Sequence, residues 1–339
     1  MRIRSFRFET AKQSRVDPLG FHFRSRQIII DAAGLRDVES FRHFESMQRV
    51  IVRVPASTSN LGPGFDCLGV ALRIYNDVTL SRGGKSRLLR IVDESANLFF
   101  KHLGRRPFSF SCSVKEKIPR SRGLGSSATI RLGVLHALNR LAGNPLDRLS
   151  TFYLCAELEG HPDNTAPASF GGFTVVQSSA SVSLASGKQD ACPTFQRFEV
   201  SPRLCFVLLI PDFEIETSRA RRILPLKISR VAAVESCANA CVITAAFASR
   251  NYEKLRGAFA DQLHQPFRRK LIPFLARVIA AAEKAGALGA FLSGSGSTIC
   301  AVTLQDRHKV AAAMLRAAKS TSAHTLVTAA DNTGARILH

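Results

Sequence analysis

Long apolar runs are missing from this 339-residue chain. No stretch approaches the ~20 residues needed to span a bilayer, and LCFVLLIP at 204–211 has the length of a buried strand. The opening MRIRSFRFETAKQSRVDPLGFHFRSRQIII is positively charged at its start but lacks the uninterrupted apolar segment of a secretion signal. Acidic residues are few, 26 against 47 Lys and Arg, for a net charge of +21. Such an excess favours anionic partners, whether nucleic acid, acidic lipid or phosphorylated metabolites. The basic residues are scattered, however, and no aromatic–basic repeat accompanies them. That pattern reads as a surface bias rather than a polyanion-binding stripe, with neither nucleic acid nor membrane as a partner. Eight cysteines include no Cys-x-x-Cys pair, and Cys237 and Cys241 have no second pair nearby to complete a zinc site. Free thiols in a reducing, cytoplasmic compartment are expected.

What is present is a chain long enough for two cores, with the 45% hydrophobic and 22% charged content of an ordinary globular protein. Residues 1–46 stand apart. Their Glu9, Asp17, Asp31, Asp37, Glu39 and Glu45 argue against a transit peptide, and a strand pattern begins abruptly after Met47. The expectation is a folded part starting near Met47, preceded by an extension that is either disordered or an over-long reading of the gene. Removing its nine basic and six acidic residues leaves about +18, so the charge excess belongs to the core.

From residue 48 the pattern mixes strands and helices without strict alternation, which predicts an α+β protein of two domains, 47–200 and 201–339. RVIVRV, DVTLS, SFSCSVKEKI and GGFTVV read as strands of the first half. Ile130, Val134, Leu138 and Leu141, spaced four, four and three, form a helical stripe that Gly143-Asn144-Pro145 stops. PLDRLSTFYLCAELEG reads as a second helix. In the second half LCFVLLI, GAFLS, TICAVT and HTLVTAA read as strands, with helices near 217–223, 229–247, 251–260, 271–286 and 308–320. The polar stretch 177–196 is the expected seam.

Three loops concentrate chemistry. IPRSRGLGSSAT (118–129) feeds a helix, but lacks the Gly-Lys-Ser/Thr ending of the familiar phosphate loop. Gly123 and Gly125 allow close backbone approach, and Ser126 and Ser127 sit where orphan N–H donors and the positive helix end point outward. Such a turn binds phosphate with or without a lysine, and a hydroxyl there can ligate a divalent cation; as plain structure it is a tight turn with an N-cap serine. VPASTSNLGPGFDCLGVAL (54–72) gathers Asn60 and Asp66 around Gly62, Pro63 and Gly64 in a polar loop between apolar segments. GALGAFLSGSGSTICAV (286–302) places a Ser-Gly repeat between two strands. AELEGHPDNTAPASFGGF (156–173) adds Glu157, Glu159, His161, Asp163 and Asn164 within one turn region.

In this order and at these separations the loops resemble the three signature motifs of the GHMP small-molecule kinases, and the first loop, EGHPDNTAPASFGGF, ETSRARRILP and DQLHQPFRRKLIP are similar to the branch whose acceptor is L-homoserine. The resemblance covers 48 to about 335. It implies a two-domain GHMP kinase fold, a ribosomal protein S5 domain 2-like first half and a ferredoxin-like second half with the site between them. It also implies transfer of the ATP γ-phosphoryl group to the side-chain hydroxyl of L-homoserine, with Mg²⁺ as cofactor and a homodimer as a possible assembly.

Carried over residue by residue, the resemblance assigns the ATP phosphates to the stretch Pro119, Arg120, Ser121, Arg122, Gly123, Leu124, Gly125, Ser126, Ser127 and Ala128, with Lys117 alongside or simply on the surface. It assigns Mg²⁺ to Ser127 and Glu157, with Glu159 as a solvated helix-end acid. Arg221 and Arg268 would hold the substrate carboxylate, while Arg219, Arg222 and Arg269 leave the register open by one residue. Asn60, Asp66 and His161 would meet the rest of the acceptor. Either Asn164 orients the attacking hydroxyl or Asp163 abstracts its proton; catalysis would rest mainly on alignment and charge neutralisation. Two departures stand out. Ser297 replaces a proline of the third motif, which predicts a looser loop, and Arg120 and Arg122 crowd the phosphate loop. The alternatives are a family member with a mevalonate- or shikimate-type acceptor and, from another class, a nucleic-acid-binding protein.

Overall fold

The alternation in RVIVRV does produce a strand, and one longer than its pattern predicts. In the computed structural model, which describes residues 48–84, 88–177, 194–319 and 322–338, β1 (Arg49–Asn60) pairs antiparallel with β2 (Gly64–Arg82) from Arg49↔Ser81 to Asn60↔Gly64. Val50, Val52 and Val54 point into the core as the period requires. The strand then continues through Ser57, Thr58, Ser59 and Asn60, all buried, so most of the expected polar loop is strand. The expected N-terminal extension lies outside the described residues, as does most of the 177–196 seam.

β3 (Phe110–Lys115) and β4 (Phe173–Val176) pair with opposite halves of β2, and β5 (Phe195–Phe198) pairs with β4. Helices α1 (Arg90–Leu103), α2 (Ser126–Leu141), α3 (Arg148–Glu159) and α4 (Pro162–Phe170) accompany this sheet. The predicted stripe of α2, Ile130 to Leu141, is buried with Val78 of β2 and Phe99 of α1 in one apolar cluster. Where the sequence suggested a turn region, α4 forms. Pro162 starts it, a position where a missing N–H costs nothing, and Pro167 is accommodated inside it.

β6 (Cys205–Ile210), β7 (Gly289–Leu292), β8 (Ile299–Thr303) and β9 (His324–Ala329) form a second sheet in the order β7-β8-β6-β9. Between its strands lie α5 (Thr217–Arg222), α6 (Arg230–Ala248), α7 (Gln265–Arg268), α8 (Leu275–Lys284) and α9 (Arg307–Ala318). With α8 before β7 and α9 before β9, the order is the βαββαβ pattern of ferredoxin-like folds. LCFVLLI reads as unbroken apolar sequence because both faces of β6 are covered. Val207 and Leu209 meet α8 and α9. Phe206 and Leu208 meet Leu68, Val70 and Phe173 of the first sheet, together with Ile243 and Phe247 of α6. Phe173 and Phe247 stack at 4.2 Å. The two sheets therefore share a core.

Every strand pair among the described residues is antiparallel, which rules out a doubly wound parallel sheet and agrees with the α+β expectation. Two details differ from it. The helix expected at 251–260 shrinks to one 3₁₀ turn, Tyr252–Leu255, before Gly257 at φ +78°. And β10 (Arg336–Leu338), on the far side of the expected 200/201 division, returns to pair with β1 of the first sheet.

Candidate active site

The three glycine-containing segments, remote in sequence, are laced together. Ser57 N–H donates to the Leu124 carbonyl at 3.2 Å, Gly294 N–H to Ser59 at 3.1 Å, and Thr298 N–H to Arg122 at 3.1 Å. Ser293 Oγ donates to the Gly123 carbonyl at 2.6 Å and lies 2.8 Å from Thr58 Oγ1. Gly123 and Gly125 take φ of +73° and +68°. A Cβ on Gly123 would collide with the Ser293 carbonyl, and one on Gly125 with Ser57 Oγ. Only glycine fits either place. The loop so held presents the N-terminus of α2, where the first N–H groups have no partner within the helix and the macrodipole is positive.

This loop forms one wall of a cavity of about 730 Å³. The cavity brings together Arg120 through Ser127 with Asn60, Asp66, His161, Asp163, Asn164, Arg221 and Arg268. Four expected residues are not part of it. Lys117 is exposed beyond the end of β3 and contributes only its backbone N–H, to Asn76 Oδ1 at 2.9 Å. Pro119 and Ala128 do not line it. Glu157 is exposed and points away.

The carboxylate expected from Glu157 comes instead from Glu159. Ser127 Oγ donates to Glu159 Oε2 at 2.8 Å, and Arg131 Nε stands 2.8 Å from Glu159 Oε1. The reason is helical register. Cys155 faces α2, with its Sγ 3.7 Å from the Ala128 carbonyl. Glu159 follows one turn later on the same face, whereas Glu157 is rotated about 200° from Cys155. Burial raises the Glu159 pKa, opposed by Ser127 and Arg131.

Elsewhere in the lining, Arg221 grips Asp66 with both terminal guanidinium nitrogens, at 2.6 and 3.1 Å. Asp66 adopts φ +58° and Asn60 φ +71°, conformations that non-glycine residues rarely hold without support. Asn60 supplies that support. Its Oδ1 accepts the Asp66 N–H at 3.1 Å and its Nδ2 donates to the Gly294 carbonyl at 3.0 Å. Arg268 is only 2% exposed; it donates to the Gly294 carbonyl at 2.9 Å and to Ala220 at 3.2 Å. Burial, with Arg221 nearby, pulls its pKa down to about 10. Both guanidiniums lie 5.3 Å from the centroid of the Phe65 ring. Of the five arginines, Arg221 and Arg268 line the cavity, whereas Arg219, Arg222 and Arg269 are exposed and outside it.

Asp163 and Asn164 open α4, after His161 at its N-cap. Ser57 Oγ donates to Asn164 Oδ1 at 2.8 Å, and Asn164 Nδ2 donates to Ser59 Oγ at 3.0 Å. This amide is locked at both ends. Asp163 is 4% exposed, and its carboxyl is pushed up to about 6 by burial and by the charge of Asp66, against a bond from Ser59. His161 is held below its ordinary value by burial and Arg221.

Sequence reading missed Ser57 and Ser59 as clamps, Phe65 as the shared arginine platform, and Leu89, Ile91 and Ile130, which give the cavity apolar area. The two departures also resolve. Ser297 is fully buried and its Oγ donates to the Phe213 carbonyl at 2.7 Å, a tether where the lost proline predicted looseness. Arg120 pairs with Glu116, and Arg122 Nε donates to the Pro211 carbonyl at 3.0 Å, tying the glycine loop to the end of β6.

This two-sheet fold has direct counterparts. Residues 90–172 match the family model of the GHMP kinases N terminal domain, and 243–320 that of GHMP kinases C terminal. The chain belongs to the GHMP kinase family. It is 38% identical to the homoserine kinase of Microchaete diplosiphon over 309 residues, 86% of this chain and 97% of that one. The crystal structure of homoserine kinase from Cytophaga hutchinsonii superposes with a TM-score of 0.76 at 26% identity, covering 86% of this chain and 98% of the other. Streptococcus pneumoniae phosphomevalonate kinase shares the fold, with a TM-score of 0.64 at 16% identity over 84% of this chain and 100% of that one.

Proposed function

We propose that this chain transfers the γ-phosphoryl group of ATP to the side-chain hydroxyl of L-homoserine, giving O-phospho-L-homoserine for threonine biosynthesis. The observation that carries the reading is the Asp66–Arg221 pair, with Arg268 beside it, in the same cavity as the phosphate loop. A zwitterionic amino alcohol satisfies both members of that pair at once. Its ammonium takes Asp66, and its carboxylate takes Arg221 and Arg268, whose planar forks suit it. A mevalonate-type acceptor has a carboxylate but no ammonium, so Asp66 would lose Arg221 and gain nothing.

The amides of Gly123 to Ser127 and the start of α2 bind the phosphates, and Leu89, Ile91 and Ile130 offer apolar surface to a base. Ser127 Oγ and Glu159 Oε2, 2.8 Å apart beside that loop, are an oxygen pair suited to Mg²⁺, which keeps water in its remaining positions. When bound, Mg²⁺ neutralises charge on the phosphates. Asn164, held by Ser57 and Ser59, orients the acceptor hydroxyl. As the new O–P bond forms and the bond to the ADP oxygen breaks, the hydroxyl proton passes late to Asp163, whose raised pKa suits it near neutrality.

A panel of acceptor alcohols offered with ATP and Mg²⁺ tests the reading. Homoserine should be phosphorylated in preference to mevalonate and shikimate; turnover of mevalonate with none of homoserine would sink it. The +21 charge keeps a nucleic-acid reading in view, and filter binding across salt concentrations addresses it.

A further inference from the structure

Arg131 is a charge set among helices. Only 14% of its side chain is exposed, and it lines the same cavity as Ser127 and Glu159. It follows Ser127 by four residues on α2, so both side chains leave the helix on one face, toward the end of α3. There they share a carboxylate. Ser127 Oγ takes Glu159 Oε2, and Arg131 Nε stands 2.8 Å from Oε1. The guanidinium reaches on to α1, donating from Nη2 to Glu94 Oε2 at 3.0 Å, and Glu94 Oε1 accepts from Arg90 Nε at 2.8 Å. Three helices therefore meet on one guanidinium.

A helix staple alone does not account for this arrangement. Taking charges out of water costs about as much as pairing them returns, so a well-packed apolar side chain would serve stability as well. Arg131 Nη1 is moreover buried with no hydrogen-bond partner among the described residues, a cost that an apolar residue would not carry. What the arginine supplies is direction. The terminal torsion of a glutamate is broad. With Oε1 against Arg131, Oε2 is left facing Ser127, and outer contacts of this kind hold a metal-ligating carboxylate in place.

A positive group beside a cation site repels the cation. Glu94 offsets that repulsion. Glu94 and Glu159 set two negative charges against the one on Arg131, so the triad keeps one negative charge. Arg90 is 93% exposed and screened by water, so it cancels little. Glu94 itself does not line the cavity.

We propose that Arg131 is a positioning residue for the divalent cation: it fixes Glu159 so that Oε2 and Ser127 Oγ offer themselves together, and Glu94 offsets its charge. This rests on the reading of Ser127 and Glu159 as the Mg²⁺ pair.

Calorimetric titration of the full chain with the imido analogue of ATP, once with Mg²⁺ and once with EDTA, gives the factor by which the cation tightens binding. Arg131→Met should reduce that factor about 10- to 100-fold, while affinity in EDTA stays within about threefold. Arg131→Lys keeps a charge without the planar fork and should recover part of the factor. Glu94→Gln should reduce it about two- to fivefold, although Glu94 stands outside the cavity. Glu159→Gln marks the level without the carboxylate. If Glu159→Gln retains the wild-type factor, the metal assignment fails and the inference falls with it. If Glu159→Gln loses it while Arg131→Met and Glu94→Gln retain or raise it, the assignment stands and the inference is overturned. Equal losses of affinity in EDTA and in Mg²⁺ would also overturn it, leaving Arg131 a structural staple.

Discussion

Arg221 holds Asp66 by two hydrogen bonds across 155 residues of chain, joining α5 of the second half to the start of β2. With side chains 30% and 24% exposed, the pair is reachable by solvent and can be exchanged for a ligand's charges. Asp66→Asn keeps the shape and removes the charge that meets an ammonium. The expected result is a KM for homoserine raised about 10- to 100-fold, the worth of one charged hydrogen bond, with the KM for ATP nearly unchanged. Steady-state kinetics with each substrate varied would show it; an equal rise in both would count against the assignment.

Glu159 and Glu157 can be told apart by their demand for metal. Glu159→Gln should raise the Mg²⁺ concentration needed for half-maximal rate by about 10- to 100-fold. Glu157→Gln, on the exposed face of α3, should leave it within about twofold, as surface changes usually do. Magnesium titrations of both variants decide the matter.

Asp163 links activity to stability through pH. Its folded pKa is raised from 3.8 to about 6, so the native state binds its proton more tightly than the unfolded chain does. The carboxyl therefore opposes folding when ionised, above pH ~6, by at most about 3 kcal/mol, and that cost fades as pH falls toward 4. Asp163→Asn should raise the Tm at pH 7.5 and lose that advantage near pH 4, as thermal melts across pH would record. In the wild type kcat should fall as pH drops through about 6. The variant should lose about 10²- to 10⁴-fold in kcat; a greater loss would mean that proton abstraction is indispensable rather than late.

Gly125→Ala adds one methyl group where φ is +68° and Ser57 Oγ already stands. It should displace both the phosphate loop and the Ser57 clamp on Asn164. The expected outcome is a weakened KM for ATP together with about 1–3 kcal/mol of lost stability, read from ATP-dependent kinetics and denaturant melts. Ala128→Gly, at the third residue of the helix that follows, should leave the KM for ATP unchanged while costing about 1 kcal/mol of stability.

How much was legible before the fold was seen varies with the range of the interaction. The stripe from Ile130 to Leu141 and the strands LCFVLLI and TICAVT were readable because their periods are local. Glu159 was misread because two glutamates two residues apart look alike in sequence, and the choice depends on which face of α3 meets α2. The short strand Arg336–Leu338 carried no signal of its own, since three residues become a strand only through a partner 285 or so positions away. Ser297 looked like a lost constraint until its hydroxyl was found on Phe213.

The chain alone determined the glycine loops, the helix that follows the second of them and the mixed α and β character. These depend on φ permissions, side-chain type and period, which act within a few residues. Folding in three dimensions decided that Asp66 faces Arg221, that Ser57 and Ser59 clamp Asn164, and that Glu159 rather than Glu157 meets Ser127. Those depend on distances between segments separated by 30 to 155 residues, and no local rule of period or propensity encodes them.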